Sequence, residues 1–362
     1  MQILDSGSNS SRVPGPGVAF CSLGAHFNTL TALQSPEQSI HRFATASNDY
    51  SASNRIVVVD FNEENNSISL FAQSSPTHPI KQLLDFDDQQ GRLRFLASVR
   101  ELDPNAGFVR VLELDNRTSE LKVVATTEPL ATAITAIAIT QDSKRSPGYR
   151  IAVVHPESVA LLELRAAKLE QSARYELNSK TKTTIENSQQ LYSHRFITGK
   201  FDPHHKDIFA CACENGFRLF DWRQLEANFY VGRGNCHTTG VVNIDFNPNV
   251  PNELATAGDD GKIAFWDLRS TTEPIEVLEG YHKNSVQYAL FNSFHDNLML
   301  SGGPSATLLN VRNTEPKLVH QTSFTSRAGA WSLTDAWHFA ALVGNNIVVE
   351  SIPSALKYKL LL

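Results

Sequence analysis

The chain has 362 residues, 41% hydrophobic and 19% charged, with a formal net charge of −6. That balance can bury a sizeable core, and with no basic cluster to offset the negative charge it excludes general binding to nucleic-acid phosphates. Four cysteines with no C-x-x-C pair point to a reducing compartment rather than a disulfide framework.

The N-terminal stretch MQILDSGSNSSRVPGPG has no cationic segment followed by an apolar core, so it does not read as a signal peptide. Residues 1–16 read as a disordered N-terminus and 17–362 as one domain. No stretch approaches the roughly 18 apolar residues of a membrane helix. The first structural unit is IHRFATASNDYSASNRIVVVDFNEE (40–64), in which Val57-Val58-Val59 is a β-branched run suited to a buried strand. Two further units follow. In both 80–114 and 133–164, two apolar runs flank a polar turn, the latter containing Ile151-Ala152-Val153-Val154. Segment 163–175, ELRAAKLEQSARY, is the best candidate for a helix, with an outer strand and loop as the alternative. Residues 178–190 carry few apolar side chains and read as a mobile loop.

The repeat is plainest next. FDPHHKDIFACACENGFRLFDWR (201–223) and FNPNVPNELATAGDDGKIAFWDLR (246–269) both run from aromatic–Asp/Asn–Pro through a short apolar strand to an acid–Gly turn. A second apolar strand then ends in aromatic–Asp. Phe201 and Phe246 are 45 residues apart, the length of one four-stranded propeller blade. Units at 291–311 and 330–352 bring the number to seven; the first keeps Ser301-Gly302 but lacks the turn acid and the Trp-Asp. A lone four-stranded unit cannot cover both its faces, whereas blades packed around an axis cover them and protect the edges. The fold class expected is therefore all-β, a seven-bladed WD40 β-propeller. Either 18–24, VAFCSLG, or the tail 355–362, ALKYKLLL, can supply the strand that closes the ring.

Within LATAGDDGKIAFWDLR, Leu254 and Thr256 share one strand face, Asp259-Asp260-Gly261 makes a hairpin turn, and Ile263 and Phe265 face away from Ala264 and Trp266. A buried indole N–H needs an acceptor. Thr256 can supply it, and His237 can bridge Thr256 to Asp260. This pattern resembles a WD repeat, whose His–Asp–Ser/Thr–Trp hydrogen-bond set corresponds here to His237, Asp260, Thr256 and Trp266. A hydrolase reading of the same residues fails because the threonine points into a blade and no Gly-x-Ser-x-Gly elbow exists. Cys211 and Cys213 alternate with alanines and read as core. His204-His205 reads as a solvated turn rather than a zinc site. No catalytic, metal or cofactor site is expected.

Blocks 54–66, 196–205, 241–249 and 258–279, with the tail IPSALKYKLLL (352–362), go beyond a generic WD repeat. They resemble the family of WD-repeat proteins that interact with the EARP and GARP complexes, over almost the whole chain in order. The resemblance implies a non-enzymatic adaptor binding subunits of the endosome-associated recycling and Golgi-associated retrograde tethering complexes. It implies roles in endosomal recycling, endosome-to-Golgi retrieval and dense-core vesicle cargo sorting. It also implies a cytoplasmic protein, peripheral at endosomes and the trans-Golgi network, as a monomeric propeller without membrane insertion. The chain departs from that family at 312–327, which is short and lacks the acidic insertion members often carry between the last two blades. A competing reading rests on Asp221-x-Arg223 and Asp267-x-Arg269, paired boxes in consecutive blades that resemble those docking substrate receptors onto a cullin–RING ligase adaptor. Local pairing of each Asp with its Arg is the plainer reading of those four residues.

Overall fold

The computed structural model describes residues 17–24, 26–49, 54–87, 93–100, 106–115, 118, 120–130, 132–142, 148–165, 167–176, 195–223, 236–311, 318–322 and 324–361. The stretches 1–16 and 178–190, read above as disordered and mobile, lie outside them, as do 312–317.

Strand β1 (Val18–Ser22) precedes the first blade. Blade 1 is β2 (Phe27–Leu33), β3 (Ile40–Ser47), β4 (Ile56–Asn62) and β5 (Ser67–Ser74). Blade 2 is β6 (Ile80–Asp87), β7 (Leu93–Arg100), β8 (Gly107–Leu114) and β9 (Leu121–Thr126). Blade 3 is β10 (Ala136–Asp142), β11 (Gly148–His155), β12 (Ser158–Arg165) and β13 (Lys168–Glu176). Blade 4 shows β14 (Phe196–Phe201), β15 (Ile208–Cys213) and β16 (Gly216–Asp221) among the described residues. Blade 5 is β17 (Val241–Phe246), β18 (Glu253–Gly258), β19 (Ile263–Asp267) and β20 (Glu276–Leu278). Blade 6 is β21 (Tyr288–Phe291), β22 (Leu298–Gly302), β23 (Thr307–Asn310) and β24 (Leu318–Gln321). Blade 7 holds β25 (Ala328–Trp331), β26 (His338–Val343) and β27 (Asn346–Ser351), and helix α1 (Ser354–Leu361) follows it.

Seven antiparallel sheets result, a seven-bladed β-propeller. The ring closes through its N-terminal end. β1 pairs with β27 from Val18 opposite Glu350 to Ser22 opposite Asn346, so it is the outer strand of blade 7. The other candidate, the tail, is α1. Its Ala, Leu and Lys residues favour a helix, and Pro353 sits before it, its carbonyl accepting from Leu356 and Lys357 N–H. Segment 163–175 is strand for most of its length. In β13, Leu169, Ala173 and Tyr175 are less exposed than the residues between them, a period of two rather than 3.6.

The core lies between blades, one cluster to each of the seven interfaces. Period-two alternation explains how a single blade feeds two clusters. In blade 5, Leu254, Ala264 and Trp266 pack toward Phe217 and Leu219 of blade 4. Ala255, Ala257, Ile263 and Phe265 pack toward Phe291 and Met299 of blade 6. Each fully buried large side chain contributes roughly 1.5–3 kcal/mol, so the interfaces carry most of the favourable term.

Polar bonds then fix the rotation of one blade on the next. In blades 1, 2 and 5 the register slips where the innermost strand begins, just before Thr29, Gln82 and Asn243. Each of these side chains accepts a main-chain N–H from the following blade. Thr29 takes Leu83 at 3.1 Å, Gln82 takes Ile137 at 2.8 Å and Asn243 takes Ala289 at 3.1 Å. The bulge turns the polar side chain out of its own ladder and toward the neighbour. Blade 4 has a bulge at the matching place but carries Gly199, where any Cβ would collide with the Phe209 ring.

Candidate functional site

Two faces of the disc carry the residues singled out from the sequence. The upper face bears the turns between second and third strands; the lower face bears those between first and second. On the upper face of blade 5, His237, Asp260, Thr256 and Trp266 come together in one hydrogen-bonded chain. Trp266 Nε1–H donates to Thr256 Oγ1 at 3.0 Å, Thr256 and His237 Nε2 are 2.9 Å apart, and His237 Nδ1 lies 3.0 Å from Asp260 Oδ1. The directions are consistent: indole to hydroxyl, hydroxyl to imidazole, imidazole N–H to carboxylate. Asp260 also accepts from Thr238 N–H at 2.8 Å and Lys262 N–H at 3.2 Å. Burial pushes the Asp260 carboxyl up, but the His237 bond and those main-chain bonds hold it below its ordinary value. Gly258 is needed here, because a Cβ would collide with both the His237 ring and the Asp260 carboxylate. Gly261, at φ 78°, forms the turn. Thr256 and Trp266 are fully buried, so this threonine faces an indole and not a cleft.

Blade 6 holds half of the same device. His282 Nε2 lies 2.8 Å from Ser301 Oγ, matching the His237–Thr256 contact one repeat earlier. Where blade 5 has Asp260, blade 6 has Ser305, and His282 Nδ1 has no hydrogen-bond partner among the described residues. Burial lowers the His282 pKa to about 4. Ser301 stands out in the sequence and His282 does not; its place 45 residues after His237 is the signal that identifies it.

The lower face carries the Asp-x-Arg pairs. Arg223 Nε and Nη2 grip the two Asp221 oxygens at 2.8 and 2.6 Å, and Arg269 grips Asp267 with Nε at 2.9 Å and Nη2 at 2.7 Å. The Arg269 bonds pull the Asp267 carboxyl down to about 2. Both guanidiniums stay well exposed, at 57% and 74%. Each pair is therefore locally neutralised at the end of β16 or β19, with the guanidinium's outer edge toward solvent. Between blades 4 and 5, beside Arg223, lies a cleft of about 540 Å³ lined by Asp202, His204, His205, Arg223, Asn252 and Leu268. Asp207, at its edge, accepts from Arg150 of blade 3 at 2.7 Å and lies 4.0 Å from Arg223.

His204 and His205 sit in an exposed turn and diverge. His205 Nδ1 meets Asp202 at 3.0 Å, whereas His204 Nε2 meets the Asn247 carbonyl of blade 5 at 3.1 Å. That last bond begins a series along the lower face. Asn249 donates to the Asn292 carbonyl at 2.8 Å, Asn292 to the Ala336 carbonyl at 2.9 Å, and Thr334 to the Ile40 carbonyl at 3.3 Å. Cys211 and Cys213 are buried in the cluster between blades 3 and 4, where burial pushes both thiols up. Among the described residues, no helix is long and apolar enough to cross a membrane.

Fold and hydrogen-bond pattern together define a propeller whose polar residues are engaged in holding blades in register. The chain belongs to the EIPR1 beta-propeller family, whose model matches residues 25–310. It is similar to human EARP and GARP complex-interacting protein 1, 30% identical over 216 residues, which covers 49% of this chain and 54% of that protein. A zebrafish EARP-interacting protein homolog is 26% identical over 385 residues, covering 92% of this chain and 96% of that protein. EARP-interacting protein 1 of Caenorhabditis elegans is 26% identical over 164 residues, covering 37% and 45%. The chain spans about half the length of the mammalian relatives it matches.

Proposed function

We propose that this chain is a non-enzymatic scaffold that binds the endosome-associated recycling and Golgi-associated retrograde tethering complexes. The observation that carries this reading is family membership, joined to relatives whose names state interaction with those complexes. In this reading the protein acts at endosomes and the trans-Golgi network. It supports endosomal recycling, endosome-to-Golgi retrieval and dense-core vesicle cargo sorting, as a monomeric propeller within the larger assembly. The lower face of blades 4 and 5 is the surface we assign to the partner. Three of the blocks that resemble the family, 196–205, 241–249 and 258–279, fall in these two blades, and the cleft and both exposed guanidiniums lie there.

The test is co-purification from cells with subunits of the two complexes, using wild type and the Arg223→Glu/Arg269→Glu double variant. The Asp267–Arg269 pair is exposed enough to contribute only about 0–1 kcal/mol to stability, whereas Asp221 is nearly buried and loses its cation. The variant should melt below wild type yet stay folded at the assay temperature while losing partner recovery at least tenfold. Failure of the wild-type chain to recover tethering subunits refutes the reading. Recovery of a cullin–RING adaptor in their place would favour the ligase-receptor alternative.

A further inference from the structure

The seam where blade 7 meets blade 1 carries a side-chain cluster that neither the blade 5 network nor the lower-face cleft uses. His41 lies at the start of β3 and His338 opens β26. Both imidazoles are fully buried, with ring centroids 3.9 Å apart and planes tilted by 34°. Each ring is held through Nδ1. His41 Nδ1 lies 2.8 Å from Ser332 Oγ, and His338 Nδ1–H donates to Asp335 Oδ2 at 2.8 Å. Asp335 is in turn fixed by the N–H groups of Trp337 and His338, at 3.0 and 3.2 Å. What remains is the other nitrogen of each ring. Both Nε2 atoms are shielded from solvent and have no hydrogen-bond partner among the described residues. A buried polar atom left this way costs about 1–3 kcal/mol, and two of them on rings in contact is an arrangement cores avoid. Donor atoms of His41, Asp335 and His338 all lie within 4.8 Å of one another. Glu63, just past β4 and half-exposed, brings Oε1 to 4.0 Å from His338 Nε2.

We propose that this seam binds a divalent transition-metal ion of the zinc type. His41 and His338 are its nitrogen ligands and Glu63 its carboxylate ligand, while Asp335 orients His338. Asp335 on Nδ1 leaves the Nε2 lone pair for the ion, the carboxylate–histidine–metal arrangement that fixes ring orientation and raises ligand basicity. Two imidazoles with one carboxylate suit zinc rather than magnesium or calcium, which take oxygen donors. Bonds of about 2.0–2.2 Å require Glu63 to swing inward, a side-chain rotation its exposure allows. The charges favour a dication. Asp335 and Glu63 supply two carboxylates against one nearby cation, Lys357 of α1, whose charge is felt at His41. An ion held from both blades ties blade 1 to blade 7, whose own sheet is completed by the pairing of β1 with β27.

The experiment uses the full chain without a polyhistidine tag, stripped with chelator and titrated with Zn²⁺ against a chromogenic competitor; Co²⁺ substitution follows in parallel. Expected are one equivalent of Zn²⁺, a rise in melting temperature on loading, and visible Co²⁺ bands of tetrahedral or five-coordinate intensity. His338→Gln should abolish stoichiometric binding. Glu63→Gln, altering an exposed residue, keeps the fold and should weaken Zn²⁺ by about tenfold or more. No Zn²⁺ bound by the folded wild type overturns the proposal. Equal binding by wild type and Glu63→Gln together with an octahedral Co²⁺ spectrum overturns it as well.

Discussion

Replacing Thr256 with valine isolates what the blade 5 network contributes. Valine has nearly the volume of threonine, so packing against Leu254 and Trp266 survives while the oxygen is lost. That oxygen accepts from Trp266 Nε1–H at 3.0 Å and meets His237 Nε2 at 2.9 Å. All three residues are at most 1% exposed, so water cannot replace it. Two buried polar groups are left unpaired at about 1–3 kcal/mol each, partly offset by the more apolar side chain, giving a net loss of about 3 kcal/mol. With an unfolding entropy of about 2.1 cal/mol/K per residue over the chain, that corresponds to a fall on the order of 4 °C in Tm. Thr256→Ser keeps the oxygen and removes only a methyl, costing about 1 kcal/mol. Calorimetry and urea unfolding on the three proteins should rank them wild type, serine, valine. If valine proves as stable as serine or better, packing and not hydrogen bonding holds the site, and the reasoning fails.

His282 gives a pH-dependent counterpart. Burial lowers its folded pKa to about 4, below the unfolded value of about 6.5, so the unfolded chain takes up the proton first. Its contribution is intact above pH 6.5 and lost progressively as the pH falls toward 4, at up to about 1.4 kcal/mol per pH unit. Unfolding free energies measured across that window should fall less steeply for His282→Asn than for wild type; equal slopes would refute the assignment. Removing residues 1–22 deletes β1, bares the ladder edge of β27 and uncovers Ile347 and Val349, which pack with Ala19. An exposed apolar edge strand templates pairing between chains. Sedimentation should therefore show association of the truncated chain beyond that of wild type, reversed toward wild-type behaviour on adding a peptide of residues 17–24. A truncated chain that sediments like wild type and is as stable would show that β1 does not close the ring.

The seven-bladed ring was legible because a spacing of about 45 residues recurs between segments of matching polarity, and it is sharpest where Trp266 and Phe220 end the third strand. The His237–Thr256–Trp266 contacts could be read from alternation, since side chains two apart share a face and an indole N–H demands an acceptor. Closure could not be read, because VAFCSLG and ALKYKLLL are both short and apolar. The difference is that Ala19 and Leu23 alternate into the blade 7–blade 1 cluster, whereas the tail follows Pro353 and is built of helix formers. The His41–His338 pair was invisible for another reason. The two residues lie near opposite ends of the chain, and only the closed ring stacks them.

Blade-to-blade polar contacts account for how repeats of such unequal quality make one regular ring. Blade 5 has the full hydrogen-bonded chain, blade 6 has its His–Ser half, and blade 7 aims the Trp331 indole at the Leu290 carbonyl of blade 6 at 3.0 Å instead. If each blade had to be rigid alone, the weaker repeats would be soft points. They are braced from outside. The innermost strands are tied through Thr29, Gln82 and Asn243, and the lower face through the series from His204 to Thr334. A buried network at one blade can therefore orient neighbours that lack it, because hydrogen bonds are directional whereas hydrophobic burial is not. The chain itself crosses the seam between blades 7 and 1, from β1 to β2, and blade 7 is completed by the β1–β27 ladder, so the closing blade depends on that ladder as well as on ties to its neighbour. Across this seam Thr334 reaches Ile40 and His41 meets Ser332.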